Sequence, residues 1–277
     1  MNYKNVMLDS LKESFTLVWK NKMWFIALLI LQISLFGILS AVSYHYQMRI
    51  VEHSNSIFDY ISKLNLNEAA VAENLMQQKS IFGDDPLLIS REFSDILRNL
   101  KLLFFSTFVL LVLFLSLGWL ITSKIVHKIK LKLLITSYSK ILVVLLCYLG
   151  AIFLLFYYLL NVSLSQISLQ TSMLMAKYLL FAIVSIVLAY FMFISLSLIQ
   201  KIGFRDLFQK TLVVGIKKFH YVLGIYAINI FLSVTSIILF HYFFEKSILV
   251  LFFSILLLIF SFVFGRILMI NAFEKLD

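Results

Sequence analysis

Proline occurs once in this chain, at position 86, and cysteine once, at position 147; charged residues make up only 14% of the 277 positions. A soluble domain carries about 25% charge, so a water-facing surface of ordinary size is excluded. One cysteine excludes a disulfide framework, and Cys147 sits in a hydrophobic run, where it reads as a small packing residue. Long apolar stretches without alternation exclude a membrane β-barrel, whose strands alternate lipid-facing and lumen-facing residues.

What is present is apolar sequence. Hydrophobic residues make up 62% of the chain and mean hydropathy is +0.98. Runs of 18 or more apolar residues recur, each long enough to cross a hydrocarbon core of roughly 30 Å as a helix. Lipid offers the backbone no hydrogen-bond partners, so such runs cross as helices. The expected fold is all-α and polytopic: six transmembrane helices at about 23–43, 102–122, 141–160, 177–198, 219–240 and 248–265. The whole chain forms one membrane domain. A leader-like Ala41-Val42-Ser43 follows the first run, but 21 apolar residues exceed the roughly 7–15 of a signal-peptide core. A retained anchor is expected.

The net charge of +10 fits the excess of Lys and Arg on cytoplasmic loops better than a nucleic-acid surface. Residues 1–22, 124–140, 201–218 and 266–277 hold four, five, five and two of the 24 basic residues. This places both termini in the cytoplasm and the protein in the cell (inner or plasma) membrane, as a multi-pass chain. Lys124, Lys128, Lys130, Lys132, Lys217 and Lys218 are candidate contacts for anionic lipid or a partner, each nearby charge contributing about 1 kcal/mol at an anionic surface.

Residues 1–22 pattern as an inner amphipathic helix. Leu8, Leu11, Phe15, Val18 and Trp19 form one face, opposite Asp9, Lys12, Glu13 and Lys20. Ser10 and Glu13 fit a capping box. The stretch KIGFRDLFQKTLVVGIKKFHYVLGIYAINIFLSVTSIILFH at 201–241 repeats this design, and 124–160 repeats it loosely, with Ile125, Ile129 and Leu133 on one side. Three two-helix units of about 1–123, 124–200 and 201–277 follow. Residues 44–101 form an extracytoplasmic helical insertion in the first unit, with a helix expected from Asn67 and a turn at 82–86.

Two places, SLKESFTLVWKNKMWFIALLILQI and FRDLFQKTLVVGIKKFHYVLGIYAINIFL, resemble six-helix membrane domains such as the one preceding the catalytic part of some glycerophosphodiester phosphodiesterases, and related prokaryotic membrane proteins. The resemblance implies a six-helix membrane domain and brings over no catalytic residue. Three other six-span classes are excluded by motif. Mitochondrial carriers need proline in their spans, and a metalloprotease needs His-Glu-x-x-His. A rhomboid-like protease needs a Gly-x-Ser-x-Gly nucleophile.

No ionisable residue falls near the middle of the expected spans. Lys177, His220, His241 and Arg266 lie near ends, from which long side chains reach the interface. This disfavours ion-coupled transport and intramembrane hydrolysis. Tyr226, Asn229, Ser233 and Ser236 form one stripe on the fifth span, which either lines a groove or bonds to neighbouring helices. Gly37/Ala41, Ser185/Ala189 and Ser261/Gly265 are small pairs suited to close helix packing, with Gln32 available for a side-chain bond among them. His45 and His53 lie about 12 Å apart along a helix, too far to share a metal ion.

No catalytic, metal or cofactor site is expected. The expected function is a non-enzymatic integral membrane protein assisting transport, assembly or envelope maintenance, through contacts with the lipid bilayer, anionic lipids or other membrane proteins. The alternative is a permease subunit of an ABC-type exporter. It would need a separate ATPase, because the chain has no Gly-x-x-x-x-Gly-Lys-Ser/Thr. A lipid-modifying enzyme is the weakest reading.

Overall fold

The computed structural model describes residues 3–63, 85, 87–129, 131–165, 171–243 and 248–276. Among them there is no strand, and eight α-helices occur. These are α1 (Tyr3–Lys20), α2 (Lys22–Lys63), α3 (Leu88–His127), α4 (Leu134–Ser165), α5 (Thr171–Leu198), α6 (Phe204–Leu212), α7 (Phe219–Phe243) and α8 (Ile248–Leu276). Six of them, α2, α3, α4, α5, α7 and α8, contain stretches long and apolar enough to cross a membrane, with mean hydropathy of 2.2 to 2.7. The protein is an all-α, polytopic integral membrane protein.

The chain divides into two compact units, residues 1–35 with 111–277 and residues 36–110. In the larger unit the buried core gathers where α3, α5 and α8 end and where α4 and α7 begin. Trp119, Ile141, Leu145, Ile194, Val222 and Phe273 are all buried there. We call this the basal end. Positions further along the same helices, such as Leu179 on α5, Phe231 on α7 and Phe253 on α8, are exposed. Lipid is as apolar as a leucine core, so an exposed apolar flank costs nothing inside a bilayer.

Helix α1 packs on α8, with two serines on the contact and much of its apolar stripe left exposed. Ser10 and Ser14 are buried, whereas Leu8, Phe15 and Trp19 are exposed. Small residues at i, i+4 let the two helices approach closely, while the Phe15 ring still lies 4.6 Å from that of Phe264 on α8 and Val18 packs against the core beside Val263 and Ile267. Ser10 lies well inside α1, which begins at Tyr3, so it does not cap the helix. Its carbonyl instead accepts the Ser14 hydroxyl at 2.7 Å.

Helix α8 also departs from the reading. It continues to Leu276, and Ile267, Ile270, Phe273 and Leu276 are buried. Residues 266–276, beyond the expected end of the last span at 265, are therefore part of the core. The polar residues among them are used: Asn271 Nδ2 donates to Ser14 Oγ at 3.0 Å and Lys275 pairs with Glu13 at 2.9 Å. His127 Nε2 stands 2.8 Å from Glu274 Oε1, a charge contact when the imidazole is protonated. The first two of these contacts fasten α1 and the last turns of α8 together at one end of the unit.

Of the three lead-in segments, two form helices. The second, expected to be amphipathic around 124–140, is broken. Helix α3 runs through to His127, and Lys128 takes a left-handed conformation (φ 52°) with its N–H on the Lys124 carbonyl at 3.0 Å, a helix-terminating arrangement. A single 3-10 turn, Leu131–Leu133, precedes α4. Ile125 is buried and Leu133 exposed, so Ile125, Ile129 and Leu133 share no helix face.

Helices α2 and α3 are longer than one membrane crossing requires. Helix α2 has 42 residues and α3 has 40, about 60 Å each at 1.5 Å per residue, twice the hydrocarbon thickness. Residues 44–63 and 88–101 are thus continuations of these helices. His53 Nδ1 meets Glu92 Oε2 at 2.7 Å, and Arg91 pairs with Asp85 at 3.0 Å. The helix expected from Asn67 lies outside the described residues, as does most of the turn at 82–86. Among the described residues nothing lies near the place a Cβ of Gly37 would occupy, so the Gly37/Ala41 pair makes no close helix contact there.

Candidate functional site

Two polar features stand out in the larger unit. The first begins at the π turn between α6 and α7. Helix α6 starts at Gly203, gains a favourable first-turn acid in Asp206, and buries only Leu207 and Thr211. The chain then widens into a π turn, Val213–Lys217, a geometry that often marks functional positions. The Gly215 carbonyl accepts the Tyr190 hydroxyl at 2.7 Å. The Tyr190 carbonyl in turn accepts the Tyr226 hydroxyl at 2.9 Å. Two tyrosines, 5.5 Å apart between ring centres, thereby join α5, the π turn and α7.

Beside this network a second set of hydroxyls links α4, α5 and α6. Tyr148 Oη lies 3.1 Å from Ser195 Oγ, and Ser195 Oγ lies 3.1 Å from Thr211 Oγ1. Against it opens a cavity of about 360 Å³ with Cys147, Leu188, Leu207 and Phe208 on its walls. That volume is at the small end of ligand pockets, which run from about 300 to 1,000 Å³. The walls are apolar apart from the hydroxyls and the thiol. The arrangement can enclose an apolar chain and offer one hydroxyl group to a polar head. It presents no acid–base pair for proton transfer.

The second feature lies between α2, α3 and α8. Arg266, expected near a span end, is instead the nineteenth residue of a 29-residue helix. Its guanidinium donates to Gln32 Oε1 on α2 and occupies the space where Gly118 of α3 lacks a side chain. Periodicity missed this because it ended the last span at the charge. The continuing pattern of apolar residues at 267–273 was the available signal. Gln32, expected to bond among the small pairs, bonds to this arginine.

The four residues of the expected stripe on α7 have different surroundings. Tyr226 bonds to α5, and Ser236 is buried, its hydroxyl on its own helix at the Leu232 carbonyl, 2.9 Å. Ser233 is half-buried. Asn229 sits against Gly265 of α8, where a Cβ would stand 2.7 Å from its Oδ1. Both polar atoms of its amide are buried and have no hydrogen-bond partner among the described residues. Of the small pairs, Ser261/Gly265 thus permits a close contact.

Among the basic residues, Lys124 Nζ stands 3.6 Å from the centre of the Trp24 ring, a cation–π contact. Lys128, Lys132 and Lys217 are exposed and Lys218 is half-buried; Lys130 lies outside the described residues. Among the described residues no group of three His, Cys, Asp or Glu is placed to hold a metal ion.

Comparison with known protein families, with curated proteins and with solved structures finds no match to this chain.

Proposed function

We propose that this integral membrane protein is non-enzymatic and acts by holding lipid and neighbouring membrane proteins, in support of transport, assembly or envelope maintenance. The observation that carries the reading is the cavity between α4, α5 and α6. Its walls suit an acyl or similar apolar chain, and its hydroxyls suit one weakly polar head. The basic segments 124–140 and 201–218 support a placement in the cell membrane with the basal end, and so both termini, in the cytoplasm. Exposed Lys132 and Lys217 would then meet anionic headgroups.

The test is native mass spectrometry of protein extracted in mild detergent. Wild type should carry bound lipid, and Leu188→Trp, which fills the cavity, should lose most of it while eluting as an intact, folded chain. Unchanged lipid retention in Leu188→Trp would overturn the reading.

A second reading, a permease subunit driven by a separate ATPase, is favoured by one observation. Helix α6 exposes Arg205, Asp206, Gln209 and Lys210 at the basal end, a short polar ridge such as a docked ATPase would grip. A stoichiometric ATPase in the same preparation, lost on substituting these residues, would select it.

A further inference from the structure

Among the described residues Arg266 has no counter-charge. Its depth follows from three separate counts. Trp24 and Lys124, in contact with each other, mark headgroup level at the basal end, where tryptophan concentrates. Gln32 lies eight residues beyond Trp24, about 12 Å along α2, and Gly118 lies six residues before Lys124, about 9 Å along α3. Ten residues, about 15 Å, separate Arg266 from the end of α8. Half of the hydrocarbon core is about 15 Å, so the guanidinium stands well inside it. Its direction agrees: helical side chains lean toward the N-terminus of their helix, and on α8 that is away from the basal end.

No carboxylate of these helices comes near this level. The sequence has no Asp or Glu between positions 14 and 51, 96 and 205, or 246 and 273. Glu13, at the basal end, pairs with Lys275, and Glu274, also at the basal end, stands 2.8 Å from His127. A guanidinium has five N–H donors in a planar fork, and among the described residues its side-chain acceptor is the neutral Gln32 carbonyl alone. Gly118 makes the seat: a methyl group there would collide with the guanidinium. An unneutralised charge in lipid is costly, and intramembrane arginines are by default functional.

We propose that Arg266 and Gln32 form an acceptor for the phosphate or carboxylate of an anionic amphiphile, drawn below headgroup level while its apolar part remains in lipid. The planar fork suits two oxygens of one anion, and the Gln32 amide N–H₂ supplies a further donor. The proposal is independent of the cavity between α4, α5 and α6. Loss of anion with Arg266→Gln and loss of lipid with Leu188→Trp are separate outcomes.

The test measures binding to the full chain in neutral detergent, by native mass spectrometry, with three probes: phosphatidylglycerol, oleate and inorganic phosphate. Wild type should bind one phosphatidylglycerol or one oleate per chain, identifying a lipid phosphate or a carboxylate as the source. Competition by inorganic phosphate at similar concentration would identify the free anion. Arg266→Gln should weaken binding at least tenfold, whereas Lys132→Gln, at the exposed surface, should leave it within twofold. Should Arg266→Gln fail to fold, Gly118→Ala keeps the charge and displaces the guanidinium, and should weaken binding likewise. Equal binding by wild type and either variant, or binding of none of the three probes by wild type, overturns the proposal.

Discussion

Replacing Gly215 with alanine tests whether the π turn is a packed joint or a loose one. In an unhindered helix the change is favourable by up to about 1 kcal/mol, because glycine has the greater freedom to lose. Here the new methyl would stand 2.7 Å from Phe191 Cε1 and 3.3 Å from Ile194 Cδ1. Neither neighbour moves cheaply. Ile194 is fully buried, and the Phe191 ring packs edge-on against Tyr190, 5.1 Å between centres. Overpacking of this kind costs about 1–3 kcal/mol. A shift that relieves it also strains the Tyr190–Gly215 hydrogen bond, worth about 1 kcal/mol. The expected net result is a loss of about 1–2 kcal/mol. It is read as the midpoint of unfolding in mixed micelles titrated with a denaturing detergent. Phe191→Leu should restore part of that loss in the double mutant, giving a coupling of at least about 0.5 kcal/mol. A Gly215→Ala protein as stable as wild type, or more so, would refute the packing argument.

Three further outcomes follow from other contacts. Ser14→Ala leaves the buried Asn271 amide without its acceptor and should cost about 1–2 kcal/mol in the same titration; an unchanged midpoint would mean that α1 is not held through this bond. Asn229→Val removes a buried amide that has no partner among the described residues and should be neutral or stabilising, whereas a loss above about 1 kcal/mol would reveal a bond at this amide. Trp24→Leu and Lys124→Gln, combined in a double-mutant cycle, should show a coupling of about 0.5–1 kcal/mol; additive effects would remove the contact between α2 and α3 at headgroup level.

The six spans were legible because their signal is length and hydropathy, which lipid imposes on each helix separately. The partners of each helix were not, because inside a bilayer the protein interior and the surroundings are equally apolar. Helix α1 illustrates this. Its stripe of Leu8, Phe15 and Trp19 is the face a water-soluble protein would bury, yet Ser10 and Ser14 are buried against α8. The signal in the sequence was the pair of small residues four apart, the same signal that correctly marked Ser261 and Gly265. Gly37 and Ala41 carry that spacing too, and there it marks no contact. Small-residue spacing therefore permits close approach without specifying it.

The last span shows a different limit. A charge after an apolar run is ordinarily where a span reaches water, so Arg266 read as a boundary. Whether an arginine ends a helix or enters the membrane with it depends on what faces it, here a glutamine on α2 and a glycine on α3. Those residues are more than a hundred positions away in sequence. Gln32 and Gly118 are each unremarkable on their own spans, and only three-helix packing gives them a common role. The same packing explains why residues 267–276 stay helical beyond the charge. Ile267, Ile270 and Phe273 fill the basal core, and Asn271, Glu274 and Lys275 find partners on α1 and α3. With α8 fixed in that way, the guanidinium is carried to its depth by the helix and cannot retreat to the interface. The charge is held in the membrane by the apolar residues that follow it.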